Sequence, residues 1–205
     1  MTVPLRIAPV MDADMSVAQR DALAPFVRDD GCIHNVFRTM GRYPAALRRW
    51  TPFINHVLFK SSLALREKEL LILRTAALCG SDYAWAQHLR VARRAGLSDR
   101  QILAVRDGPE SPIWSSLDAA LLQAADDLHY DTRISDETWS RLSPSLSLEQ
   151  LMDVVLTVGQ YNLAAMILNT CGVQIDPDLL ADPPLALDRV NEVAEPNASV
   201  VNVTP

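Results

Sequence analysis

The chain has 205 residues and a mass of 22.7 kDa, with 49% apolar and 21% charged residues, so it can bury a core without staples and is neither fibrous nor disordered throughout. Only 7 glycines argue against a turn-dense all-β architecture. A net charge of −6 and a pI near 5.1 lack the basic excess of a nucleic-acid binder.

In chain order the pattern is helix after helix. Ser16 caps a short helix running toward Val27. A second helix spans Asn35 to Met40 and stops near Gly41, with Asn35 as its expected cap. A third starts at Pro44, a residue suited to a first turn, and carries Leu47, Trp50, Ile54, Val57 and Leu58. Leu65 to Leu78 is densely apolar and ends at Gly80; Asp82 to Ala95 follows and stops at Gly96. Ser98 opens a short helix toward Val105, closed by Gly108-Pro109. Ser115 or Ser116 opens the next, with Leu117, Ala120, Leu121, Ala124 and Leu128 at helical spacing. Ser135 to Leu142 is short, and Ser147 begins the last long helix.

Within that last helix, Val154 to Gly172 runs 19 residues without a charge, near the ~18 of a membrane span. Gln160, Asn162, Asn169 and two threonines dilute it, so the expectation is a buried helix whose second dry face meets a partner subunit, with no membrane role. From Asp176 onward the pattern changes to prolines and acids. Six acids against one base give residues 176–205 a net −5, leaving −1 for the other 175 residues. The expected organisation is an N-terminal extension (1–30), a helical body (31–175) and an acidic, irregular tail (176–205) that is mobile or orders on a partner. A further expectation is that this tail pairs with the Arg90/Arg93/Arg94 cluster, which otherwise reads as a wet face.

The N-terminus shows no secretory signal pattern, and Cys32, Cys79 and Cys171 form neither a disulfide framework nor a zinc pattern. The expected setting is the reducing cytoplasm, and neither a metal nor another cofactor is implied.

Two helices carry polar groups where apolar ones belong. Glu69 shares a helix face with Leu65, Ile72, Leu73 and Ala76, while Glu67 and Arg74 fall on the opposite, wet side. His88 shares its face with Ser81, Ala84, Trp85, Val91, Ala92 and Ala95. Burying either group alone is costly, so consecutive helices are expected to bring the two together. Periodicity leaves two readings open: a pair retained for packing, or a proton relay in which the carboxylate orients an imidazole that titrates near neutrality.

The stretch from Arg66-x-x-Glu69 through Tyr83-x-Trp85-x-x-His88 to Ala95-Gly96-Leu97-Ser98 resembles the core of the carboxymuconolactone decarboxylase family, which includes the AhpD-like alkylhydroperoxidases. Asn35-Val36-Phe37-Arg38 with Tyr43-Pro44, and Val158-Gly159-Gln160-Tyr161-Asn162, resemble its flanking segments, so the likeness covers roughly Ile33 to Val173. The resemblance implies an all-α, AhpD-like helical bundle assembled as a homo-oligomer, a trimer or hexamer. In the peroxidase branch, redox cysteines occupy the positions held here by Ser81 and Ala84, so a dithiol cycle is not expected. Position 84 is often glutamate in decarboxylase-like members; here it is alanine.

The resemblance therefore implies a cofactor-independent lyase acting on a small carboxylated lactone or enolisable acid. His88 is its expected acid–base group, Glu69 orients it, and Tyr83 donates to a carbonyl or enolate oxygen. Trp85 and Tyr161 line the pocket, and Arg66 and Arg38 hold a substrate carboxylate. The same parts would serve an isomerase or a lactone hydrolase. A non-catalytic helical oligomer that keeps the pair for packing is the rival of a different class.

Overall fold

The computed structural model describes residues 4–180, and among them the regular structure is entirely helical. Ten α-helices follow in order: α1 (Val17–Leu23), α2 (Asn35–Met40), α3 (Pro44–Asn55), α4 (Leu65–Leu78), α5 (Asp82–Arg94), α6 (Asp99–Asp107), α7 (Ser116–Tyr130), α8 (Asp136–Leu142), α9 (Leu148–Cys171) and α10 (Pro177–Leu180). A serine side chain caps half of them. Ser16, Ser98, Ser115, Ser135 and Ser147 each accept the backbone N–H three residues on, satisfying a donor that the first turn leaves orphaned.

The hub is α4, which packs against α5, α6, α7 and α9. Leu70, Leu71, Ile72 and Leu73 are consecutive and all fully buried, so every side of the helix is covered. Each such side chain contributes about 1.5–3 kcal/mol when removed from water. Leu70, Leu73 and Ala77 meet Trp85, Leu89 and Ala92 of α5. Leu71 meets Leu121 and Ala125 of α7 and Val154 and Val158 of α9. This corrects the expected wet face of α4. Arg74 is buried, its guanidinium gripping both carboxylate oxygens of Asp126 (2.5 and 2.9 Å) and the carbonyls of Val105 and Arg106. A buried ion pair is tolerable only when its remaining donors are satisfied, as they are here.

Helix α9 is long and apolar enough to cross a membrane by composition. Its buried face nevertheless carries Asp153, Gln160 and Tyr161, each hydrogen-bonded inside the bundle. After α3, residues His56–Lys60 form a single π-helical turn. Asp153 fastens this turn and the loop beyond it by accepting from the Ser62 N–H, both hydroxyls of Ser61 and Ser62, and pairing with Nε2 of His56 at 2.8 Å.

Both ends of the described segment are tied to the body. In the N-terminal arm, Arg6 and Ile7 donate N–H groups to the Cys171 carbonyl, and Arg38 binds Asp12 and the carbonyls of Val10 and Ile33. At the other end, the expected tail boundary is corrected. Asp176 is buried and hydrogen-bonded, and Asp178 pairs with Arg28 (3.2 Å) and Arg90 (3.1 Å). Residues 176–180 thus belong to the body, because their acids neutralise arginines and cap donors there. The expected pairing of tail acids with the arginine cluster holds for Arg90; Arg93 instead pairs with Asp99. The rest of the acidic segment, 181–205, lies outside the described residues.

Gly172 ends α9 in the left-handed conformation (φ +69°), and a Cβ there would lie 2.1 Å from the Pro4 carbonyl oxygen. Gly80 is also left-handed (φ +57°) but faces open space. Gly80→Ala should cost only the backbone term of about 1–2 kcal/mol. Gly172→Ala must also dislodge the N-terminal arm, so its loss in denaturant unfolding should exceed that of Gly80→Ala.

Candidate active site

A cavity of about 530 Å³ opens between α2, α3, the π-helical turn, α4, α5 and α9. Most of its wall is apolar, with Phe26, Phe37, Trp50, Leu58 and Phe59 among the contributors. Into this wall α4 and α5 insert Glu69 and His88, as expected from their positions on the apolar faces. Glu69 Oε2 lies 2.8 Å from His88 Nδ1, and the carboxylate is only 1% exposed.

The chain of contacts continues to α9. His88 Nε2 lies 2.7 Å from the Tyr161 hydroxyl, and the two rings meet edge to face, 87° apart. Glu69, His88 and Tyr161 therefore form one hydrogen-bonded line ending in the cavity. With Glu69 ionised and the imidazole neutral, Nδ1–H donates to Glu69 and the tyrosine O–H donates to Nε2. Burial, reinforced by the Glu69 charge, pushes the Tyr161 phenol well above its ordinary range, so it rests protonated.

Tyr161 thus lines the pocket as expected, but it also ends the relay. His88 has both ring nitrogens occupied and reaches a ligand only through that hydroxyl. This changes the role expected of the imidazole, because α9 brings a phenol within hydrogen-bond reach of Nε2.

Four other expected site residues are placed differently. Tyr83 borders the cavity, yet its hydroxyl donates to Asp176 Oδ2 at 2.5 Å and accepts from the Val36 N–H and the Gln87 amide. Its proton is committed, and burial followed by the Asp176 charge pushes the phenol upward, so it is not the oxyanion donor. Trp85 packs in the core between α4 and α5 and does not border the cavity. Arg66 pairs with Asp118 at 2.8 Å, and Arg38 pins the N-terminal arm; neither borders the cavity. An intramolecular carboxylate or carbonyl already occupies each guanidinium. Asn35 is also not a cap: His34 holds that position, and Asn35 donates to Asp176 and the Gln174 carbonyl.

Two cations that the sequence did not single out border the cavity: Arg28, which pairs with Asp30 and Asp178, and Lys68. Lys68 is 6% exposed and donates to the Leu58 carbonyl of the π-helical turn. Burial lowers its pKa, an effect offset in part by Glu69 and Asp153. Its spacing carried a signal, since Lys68 lies one turn before the buried Ile72 that packs on Tyr161. His34 and Gln160 also border the cavity; Gln160 accepts from the Trp50 indole at 2.9 Å. No local pattern marks either.

This all-helical arrangement is the AhpD-like fold. It superposes on an alkylhydroperoxidase AhpD-core, peroxidase-related protein from Ralstonia eutropha JMP134 with a TM-score of 0.72, at 18% identity over 86% of this chain and 95% of that one. The debrominase Bmp8 in complex with 2,3,4-tribromopyrrole gives a TM-score of 0.67, at 14% identity over 88% of this chain and 97% of the other. A protein of unknown function from Agrobacterium tumefaciens gives 0.62, at 23% identity over 67% and 94%. No curated protein matches the sequence significantly. Residues 44–127, the segment that holds Glu69 and His88, match the carboxymuconolactone decarboxylase family. Tyr161 lies outside the matched residues.

Asp176 sets a pH dependence. Burial alone would raise its carboxyl pKa, but contacts from His34, Tyr83 and the Asn35 N–H outweigh it and hold the group below the ordinary carboxylate range. A carboxyl depressed in the fold adds stability above its unfolded pKa of about 3.9, and that stability is lost as pH falls through the lower, folded value. Asp176→Asn should lower Tm at pH 7 and flatten the acid limb of the Tm–pH curve below about pH 4. An acid limb as steep as the wild type's would show that Asp176 contributes nothing to it.

Proposed function

We propose that the protein is a cofactor-independent lyase of the carboxymuconolactone decarboxylase type, acting in this cavity on a small carboxylated lactone or enolisable acid. The Glu69–His88–Tyr161 line ending in an apolar cavity is the observation that carries the reading. When carbon dioxide leaves such a substrate, the electron pair of the broken C–C bond moves into an enolate. The reaction then needs a donor at the developing oxyanion and a proton returned to carbon. Tyr161 takes the oxyanion role expected of Tyr83. When His88 holds a second proton, Nε2–H donates to the tyrosine oxygen, and the phenol proton turns toward the substrate. Lys68 supplies the cation for an anionic substrate in a cavity that already holds the Glu69 carboxylate.

Thiol chemistry has little support here. Ser81 and Ala84 stand where a redox pair would, and Cys79 donates to Asn162 while burial pushes its thiol up to about 11. The three cysteines are free, in keeping with a cytoplasmic setting.

A panel of small carboxylated butenolides and 3-oxo acids, followed by ¹H NMR in D₂O, tests the reading. His88→Gln should lower kcat by roughly 10²–10⁴-fold, the range of general acid–base catalysis, and Tyr161→Phe by a smaller factor, with Tm and assembly kept. A folded, assembled His88→Gln variant with full turnover defeats it; loss of assembly instead marks a structural pair.

The same reading includes a homo-oligomer, a trimer or hexamer. Met152, Val155, Leu163 and Met166 form an exposed apolar stripe along α9, 43–66% accessible, with Gly159 in its middle. A second copy is its proposed cover. Leu163→Glu should give a smaller species by light scattering after size exclusion. An unchanged mass removes this helix from the interface.

A further inference from the structure

The cavity wall holds a second imidazole backed by a carboxylate, and it comes from an isolated histidine. His34 precedes α2, borders the cavity, and places Nδ1 3.3 Å from Oδ2 of Asp176. We propose that His34, positioned by Asp176, is a second acid–base residue of the site, the one that exchanges a proton with a carbon atom of the substrate.

The support is geometric. Asp176 is buried and is itself fixed from three sides: the Asn35 N–H at 2.8 Å, the Tyr83 hydroxyl at 2.5 Å and the Gln87 amide at 3.1 Å. A carboxylate held this firmly can fix a ring. Nδ1 of His34 is sealed from solvent and makes no hydrogen bond of good geometry. A buried polar atom left in that state is costly, and catalytic contacts are often loose until substrate tightens them.

Nε2, by contrast, is not among the sealed atoms and has no partner among the described residues, while the side chain keeps 23% of its exposure. His34 therefore offers the open ring nitrogen that His88 lacks. The two pairs share α5 as their scaffold. Asp176 grips Tyr83 and Gln87, Glu69 grips His88, and five residues of helix span about 7.5 Å, so one small molecule can touch both.

The inference rests on the lyase reading and divides its labour. After the C–C bond breaks and carbon dioxide departs, the electron pair lies in the enolate with its oxygen on Tyr161. His34, protonated on both nitrogens, gives the Nε2 proton to carbon; the new C–H bond forms with the enolate pair, and neutral His34 takes its next proton from water. The alternative is that His34 merely begins α2 and steadies Asp176.

Two measurements separate these. In the first, diethyl pyrocarbonate at pH 7 with peptide mass spectrometry reads the open nitrogens directly. His34 should be labelled at least tenfold faster than His88, with His56, 42% exposed, as the accessible reference. Equal protection of His34 and His88 overturns the proposal whatever the substrate.

In the second, His34→Asn keeps an amide toward Asp176 but lacks the Nε2 proton. On the butenolide and 3-oxo acid panel it should retain wild-type Tm and KM within a few fold. Its kcat, and deuterium delivery to carbon from D₂O, should fall at least 100-fold. Wild-type kcat in a folded His34→Asn variant also overturns the proposal. A wild type inert on every probe defeats the lyase reading instead, and the labelling result then decides alone whether His34 presents an open nitrogen.

Discussion

The structure depends on one buried carboxylate. Glu69 lies in the helix that α5, α6, α7 and α9 pack against, where a buried charge without a partner is costly. A hydrogen-bond donor for it requires α5 to cross with His88 facing inward, and the imidazole in turn requires a partner for its second nitrogen, which α9 supplies as Tyr161. The packing of three helices and the orientation of a proton relay are thus the same set of contacts. The cavity exists because the residues beside the relay, among them Ala84 and Ala164, are too small to fill the space that aromatic side chains enclose from α2 and α3.

Contacts with both ends of the described segment brace the elements that form the cavity wall. Arg38 and the Cys171 carbonyl hold the N-terminal arm, while Asp176 gathers donors from α2 and α5. The π-helical turn contributes Leu58 and Phe59, and Asp153 and Lys68 hold it in place. Each of these ties spans distant parts of the sequence. The segment matched by the family model, residues 44–127, carries the relay's first two members and about half of the cavity wall, whereas Tyr161 and the wall residues before α3 lie outside it.

Arginine shows how charge patterns mislead when read locally. Arg66, Arg38 and Arg74 look alike in sequence, as exposed cations or substrate anchors. In the fold, each finds an acid or carbonyl already in reach, and Arg74 disappears into the core with Asp126. Guanidinium geometry favours such satisfied sites, and the cations that border the cavity are paired too: Arg28 with Asp30 and Asp178, Lys68 with the Leu58 carbonyl. Tyr83 follows the same logic, with its hydroxyl spent on Asp176 before any ligand arrives.

The sequence by itself determined the helices and their starts, because capping and periodicity act over three or four residues. It also pointed to a meeting of Glu69 and His88, since both lie on apolar faces of consecutive helices and burying either alone is costly. Tertiary structure alone decided that Tyr161 ends the relay, that Lys68 borders the cavity, and that His34 is backed by an acid 142 residues away. Those outcomes depend on which donor first reaches which acceptor once the chain is compact, and no spacing within a single helix encodes that competition.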